Sequence, residues 1–214
     1  MKKGVALIVI LLCAGAALSA QSIGVGFLYD LSVDNGIKTE GDGFVETMGT
    51  DITSLGGSIF FDLYYVAIDF SFSRGTLESY AKSNDEDRKT NKDGRTWTAL
   101  GIGLLGKYPM DMAGITLFPL FGIHYNLVLS LYDHDEKVDL PNGESVAEWY
   151  SQLSILAGVG FDIPFTNSLF LRAEALLNLA FPMKFFNDIA DSDDSLSTTL
   201  GLGPRFKIAL GYKF

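Results

Sequence analysis

The last eleven residues restrict the fold of this chain more than any other stretch. Pro204 to Phe214 alternates large apolar side chains with small or cationic ones. Phe206, Ile208, Leu210, Tyr212 and Phe214 fall on one face, and Arg205, Lys207 and Lys213 on the other. Period two belongs to a β-strand, whose side chains point alternately to two sides. A strand divided so sharply needs an apolar medium against one face only. A soluble β-protein supplies it inside; a membrane barrel supplies it outside, as lipid.

The same alternation recurs along the chain. It predicts eight strands: Ile23–Leu31, Ile52–Asp62, Tyr64–Ser73, Thr96–Lys107, Ile115–Tyr132, Trp149–Ile163, Ser168–Phe181 and Thr198–Phe214. Most have the ten or so residues that a tilted strand needs to cross a bilayer. Their connections alternate in length. Short turns are expected at 62–64, 108–114 and 164–167. Long polar connections are expected at 32–51, 74–95, 133–148 and 182–197. Of the 26 acidic residues, 20 fall in those four long connections. The other six are Asp30, Asp62, Asp69, Asp111, Asp162 and Glu174. The formal net charge of −10 argues against nucleic-acid binding, which needs cationic surface to neutralise phosphates.

Residues 1–20 read as a secretory signal peptide. Lys2 and Lys3 form the basic start, Val5 to Leu12 the apolar run, and Ala14 to Ala20 a small-residue stretch. The single cysteine, Cys13, lies inside this segment, and Ile10-Leu11-Leu12 before it lack the small residue a lipoprotein signal wants there. The remaining chain, 21–214, therefore has no thiol chemistry and suits one domain.

A terminal strand of this pattern, aromatic at 212 and 214, resembles the last strand of bacterial outer-membrane β-barrels. Ala209 stands where that family usually has glycine. Strand count and loop alternation extend the likeness over 21–214, to the small eight-stranded barrels related to the OmpX and OmpA membrane domains. The resemblance implies an all-β, eight-stranded antiparallel up-and-down transmembrane β-barrel in the bacterial outer membrane. Its short turns would face the periplasm, and no periplasmic anchor domain is expected after Phe214. It also implies that Phe206, Ile208, Leu210, Tyr212 and Phe214 form the insertion signal read by the barrel-assembly machinery.

The faces sort accordingly. Ile115, Leu117, Phe121, Ile123, Tyr125, Leu127, Leu129, Leu153, Ile155, Val159, Phe161, Leu171, Leu177, Leu179 and Phe181 are assigned to lipid. A polar set comprising His124, Asn126, Asp162, Arg172, Glu174, Arg205 and Lys207 is assigned to the lumen, with glycines making room. Buried charges persist only when paired, so Asp162, Arg172, Glu174, Arg205 and Lys207 are expected to form one network. Leu28, Phe60, Leu105, Phe118, Leu120, Val128, Leu156 and Leu176 also fall inward, as a plug or as a narrow apolar path. Tyr64, Trp97, Tyr108, Tyr132, Trp149, Tyr150, Phe181 and Tyr212 lie near strand ends, where interfacial aromatics gather. A soluble lipocalin-like carrier is the rival fold; it would turn the apolar face inward.

Chemistry-bearing motifs are sparse. His124 with Ser130 is the nearest approach to a hydrolase-like pair, and a hydrogen-bonded lumen histidine is the simpler reading. Nucleophile elbows, zinc-ligand spacing and phosphate loops are absent. Asp188, Asp191, Asp193 and Asp194 lack the spacing and glycine of a calcium loop. His134, between Asp133 and Asp135, reads as part of a solvated acidic loop. No cofactor or metal is expected, and no catalytic role. The function expected is structural and surface-interactive: a plugged or narrow barrel presenting four long acidic loops to host or surface molecules. A channel for small hydrophobic compounds is the alternative, with a lipid-modifying enzyme behind it.

Overall fold

The computed structural model describes residues 21–34, 38–41, 44–83, 89–133, 136–138, 145–182 and 201–214. Eight long strands dominate: β1 Ser22–Asp34, β2 Phe44–Asp62, β3 Val66–Ser83, β4 Lys89–Lys107, β5 Ile115–Asp133, β6 Gln152–Pro164, β7 Leu169–Pro182 and β8 Gly201–Lys213. Each pairs antiparallel with its chain neighbours. β1 also pairs with β8, from Ser22↔Lys213 to Asp34↔Gly201. The sheet is thus a closed eight-stranded up-and-down barrel. Closure leaves the strands of the wall no free edge, which removes the aggregation hazard of an open sheet. Among the described residues no helix is long and apolar enough to cross a membrane.

Alternation in the sequence becomes inside and outside in the barrel. Val25, Phe27, Leu55, Ile59, Leu100, Leu104, Phe121, Ile123, Leu177, Ile208 and Leu210 are exposed on the outer wall. Most of their neighbours in sequence point inward and are buried. A lipocalin-like carrier would show the reverse, so the orientation of the faces excludes it. The interior is packed in tiers. Phe60, Phe170 and Ala209 fill the end near the short turns. Ala67, Leu105, Phe118, Leu120, Leu156 and Leu176 form a second cluster that begins beside them. Trp97, Ala99, Val128 and Leu131 pack the far end.

The three short connections are tight. In the β2–β3 turn the Leu63 N–H donates to the Val66 carbonyl at 2.7 Å, and Tyr64 adopts φ 70. Between β4 and β5 a small hairpin forms, Met110–Met112 pairing with Ile115–Leu117. Its two turn residues, Ala113 (φ 51) and Gly114 (φ 88), have the positive φ that a two-residue hairpin turn requires. The β6–β7 turn is held by the Thr166 hydroxyl, which accepts from the Ser168 and Leu169 N–H groups at 3.2 and 2.9 Å.

Several boundaries differ from expectation. Residues 44–51, 74–83 and 89–95, read as loop, are strand, and pairing persists at Glu46↔Ser83 and Ala81↔Lys89. A ribbon beyond the apolar belt needs no apolar face, so period two vanishes from the sequence while the backbone ladder continues. Lys38–Gly41 adds a short strand paired with β2. Trp149 and Tyr150 do not begin a strand; they end a short helix, α1, Val146–Tyr150. Its N-cap is Ser145, whose hydroxyl accepts from the Ala147 N–H at 3.2 Å. The expected third strand starts at Val66 rather than Tyr64. Of the expected eighth strand, Gly201–Lys213 is strand, and residues 198–200 lie outside the described residues. The signal segment 1–20, His134, Asp135 and the aspartates from 188 to 194 lie outside the described residues.

Candidate functional site in the barrel lumen

The lumen is built by inward positions of all eight strands. Four cations, Lys107, Arg172, Arg205 and Lys207, face five carboxylates, Asp30, Asp62, Asp69, Asp162 and Glu174. A charge taken from water is tolerated only with a partner in good geometry. The side chains accordingly reach across the barrel to strands that are not neighbours.

Arg172 on β7 is the centre of the lower cluster and is 1% exposed. Its Nη1 and Nη2 donate to both oxygens of Asp62 on β2, at 3.0 and 2.7 Å. Its Nε and Nη2 donate to both oxygens of Asp162 on β6, each at 2.7 Å. One guanidinium therefore holds two carboxylates in paired contacts, the strongest arrangement available to it. Phe60, Phe118 and Phe170 surround it, their ring centroids 4.2, 5.0 and 5.3 Å from Cζ. Asp62 also accepts from the Lys107 ammonium at 2.8 Å and the Ser22 hydroxyl at 2.7 Å. One tier up, Lys207 on β8 bridges Asp69 on β3 at 2.5 Å and Glu174 on β7 at 2.9 Å. Glu174 in turn lies 3.9 Å from Arg172, linking the two tiers.

A separate group sits above. Arg205 Nη2 is 3.0 Å from His124 Nε2, and Arg205 Nη1 is 3.7 Å from Asp30. Asn178 donates to both Asp30 oxygens, at 3.3 and 3.2 Å. His124 is 1% exposed and 3.4 Å from the Ser71 hydroxyl. Glycines make this density possible. A side chain at Gly160 would collide with the Phe118 ring, and one at Gly211 with the Phe170 ring. The aromatic rings lie against bare backbone instead.

The structure thus brings Asp162, Arg172, Glu174 and Lys207 into one network and puts Arg205 with His124 in another. Asn126 belongs to neither; it lies higher, on the wall of the chamber described below. Sequence reasoning missed Asp30, Asp62, Asp69 and Lys107 as members. A signal for the aspartates existed: of the six acidic residues outside the long polar connections, five face the lumen. The sixth, Asp111, accepts from the Thr116 hydroxyl at 2.8 Å in an exposed turn. Ser130 does not approach His124. It pairs with the Thr98 hydroxyl at 2.6 Å.

Trp97, expected near an interface, points inward and is 8% exposed. It continues the inward row of its own strand, Leu105, Gly103, Gly101 and Ala99. The facing strand β5 carries a bulge. Thr98 pairs with Ser130 but Ala99 pairs with Val128, so Leu129 is an extra residue on β5. Leu129 points out, and the parity beyond it flips, bringing Leu131 inside at 2% exposure. Ser151, fully buried, accepts from the Val128 N–H at 3.1 Å where β5 and β6 have ceased to pair. Tyr150 and Val146 of α1, with Ile52, Leu77 and Val138, pack against the Trp97 cluster. These elements line a small, half-open chamber. No charged side chain lines it. Of the other aromatics, Tyr64, Tyr108 and Tyr212 are exposed beside the short turns, whereas Tyr132 and Phe181 are half-buried.

No family model and no curated protein matches the sequence. Among solved structures, the chain is similar to the outer membrane protein OprG from Pseudomonas aeruginosa, with a TM-score of 0.50 and 13% identity over 90% of this chain and 94% of that one. It is also similar to the outer membrane protease OmpT from Escherichia coli (TM-score 0.43, 10% identity, 90% and 96% covered). The attachment invasion locus protein Ail of Yersinia pestis gives a TM-score of 0.34 at 9% identity, with 91% and 99% covered. The OprG likeness is one of fold: the chain has the architecture of small outer-membrane β-barrels.

Proposed function

We propose that the protein is a bacterial outer-membrane barrel, closed to solutes, whose working surface is its long connections. In this reading residues 1–20 direct export, and the barrel-assembly machinery reads the outward row Phe206, Ile208, Leu210, Tyr212 and Phe214. The acidic connections meet host or neighbouring surface molecules. The observation that carries the closed lumen is Arg172, which ties β2, β6 and β7 together across the interior between three phenylalanine rings. Beside it Leu105, Phe118, Leu120, Leu156 and Leu176 are buried against one another. An eight-stranded barrel has room for side chains and little else. The outer wall supports the lipid surroundings: Phe27 is 76% exposed and Phe121 66%, which water would penalise and acyl chains would not.

The channel reading would need the inward apolar residues to leave a path, and they pack together instead. The enzyme reading would need His124 to be reached by substrate, and it is buried among Arg205, Ser71 and Gly101. Planar-bilayer recording of the refolded protein tests the proposal. No stepwise conductance is expected; reproducible unitary steps would overturn the closed lumen. Heat-modifiable gel mobility in detergent tests the membrane barrel itself, and a protein soluble and monomeric without detergent would overturn it.

A further inference from the structure

We propose that the outer wall of β1–β3 carries a site for one anionic lipid with a phosphate head group, its acyl chain seated over Gly57 and its phosphate on Arg74. The proposal rests on the reading of the barrel as lipid-embedded, and goes beyond it by assigning a lipid class and a place. Two independent observations lead to it: an open depression, and an unpaired cation at its edge toward the long connections.

The depression comes first. Phe27 on β1, Gly57 on β2 and Phe72 on β3 are opposed on one rung of the ladder. All three face outward, and the two phenylalanines are 76% and 52% exposed. A Cβ at Gly57 would meet nothing nearer than the Gly26 carbonyl oxygen, 3.8 Å away, so neither ring folds over the glycine. The lumen glycines Gly24, Gly160 and Gly211 differ, each lying under a phenylalanine ring. Neighbouring strands lie about 4.8 Å apart, so the two phenylalanine backbones stand roughly 10 Å apart with bare backbone between them. Leu55 and Ile59, the next outward residues of β2, bound the depression along the strand. Acyl carbons seated there meet apolar atoms on several sides, where a flat wall offers one.

The cation comes second. Tyr29, Leu55 and Arg74 form the next outward rung toward the long connections. Arg74 is exposed, and among the described residues it has no ion-pair or hydrogen-bond partner. The other described arginines, Arg95, Arg172 and Arg205, each face a carboxylate. Hydroxyls flank Arg74: Thr98 is opposite on β4, and Thr53 and Thr76 form the rung beyond. The rung after that, Asp51 opposite Glu78, is acidic and limits how far an anion can move along the wall. A guanidinium at the margin of an apolar belt meets lipid head groups, and a phosphate offers the paired acceptors that its fork fits. From there an acyl chain descends over Gly57, one rung below. Gly106 is also open on the outer wall, but its neighbours on the outward register are Leu104, Tyr108, Val66 and Phe121, with no cation.

The probe is phosphatidylglycerol carrying a nitroxide on an acyl chain, diluted into phosphatidylcholine nanodiscs that hold the refolded protein. Nitroxide-labelled phosphatidylcholine at the same share is the reference. The ratio of methyl NMR broadening by the two probes reports selective residence at each leucine. It is expected to be about fivefold at Leu55, the preference one cation gives near an anionic lipid, and about one at Leu104 and Leu177. Arg74→Gln is expected to abolish the excess at Leu55, and Gly57→Leu, which fills the depression, to weaken it. Both changes lie on the outer wall, and gel mobility, heated and unheated, confirms folding. Equal ratios at Leu55, Leu104 and Leu177, or an excess that survives Arg74→Gln, would overturn the phosphate contact. An excess unchanged by Gly57→Leu would overturn the acyl seat. A chain that fails to enter the discs would overturn the lipid-embedded barrel itself, a result distinct from an inserted barrel with equal ratios.

Discussion

The two ends of the lumen solve the same problem in opposite ways. Near the short turns the interior is ionic: Arg172, Lys207 and Lys107 are locked to Asp62, Asp69, Asp162 and Glu174 at 2.5–3.0 Å. Near the long connections it is apolar and contains a chamber beside Trp97. Buried charges have steep, directional requirements, so every one must be met by a partner at hydrogen-bond distance. Apolar contacts are non-directional and tolerate a gap. The ionic end therefore has to be dense and rigid, whereas the apolar end can stay stable around empty volume. A closed floor and a small unfilled space at the mouth follow from that difference.

The contrast predicts a ranked series of substitutions, read as unfolding in lipid vesicles by urea titration with gel mobility. Arg172→Met should have the largest effect. It leaves Asp62 and Asp162 buried without their main partner, and removing one member of a buried pair costs about 3–5 kcal/mol. A loss under about 1 kcal/mol would mean the ionic end is not what holds the barrel. Leu177→Arg, on the outer wall, should cost roughly 2–4 kcal/mol and impair insertion if that face meets lipid. Wild-type assembly of this variant would put water, not lipid, at Leu177.

Gly160→Val should follow, at about 1–3 kcal/mol, because the new side chain meets the Phe118 ring. Its partner at the other end is the sharper test. Val128→Leu adds one methylene beside existing space and should lie within about 1 kcal/mol of wild type. If Val128→Leu proved as costly as Gly160→Val, the two ends would be equally packed and the comparison would fail.

The lumen was partly legible in sequence. Arg172, Glu174, Arg205 and Lys207 stand out because a charge at every second position of an otherwise apolar strand has nowhere to go but inward. Asp62 and Lys107 gave a weaker signal, since each ends a strand beside a short turn, where a charge is ordinary. The division into two clusters was not legible. It depends on which non-adjacent strands face each other across the barrel, and on how the lumen tiers stack. The inward turn of Leu131 was hidden for a related reason: one extra residue, Leu129, reverses parity on β5, and nothing in the local composition marks it.

Alternation, eight repeats of it, the short turns and the terminal strand were determined by the sequence itself. Those features are local, since one residue's neighbours two positions away state which medium it faces. Everything that requires a partner was decided by closure of the sheet. Closure sets the pairing of Arg172 with Asp62, 110 positions away, the bulge that turns Leu131 inward, the helix Val146–Tyr150 over the mouth, and the chamber they enclose. A side chain's direction follows from period, but its partner follows from register and curvature, which exist only once all eight strands have met.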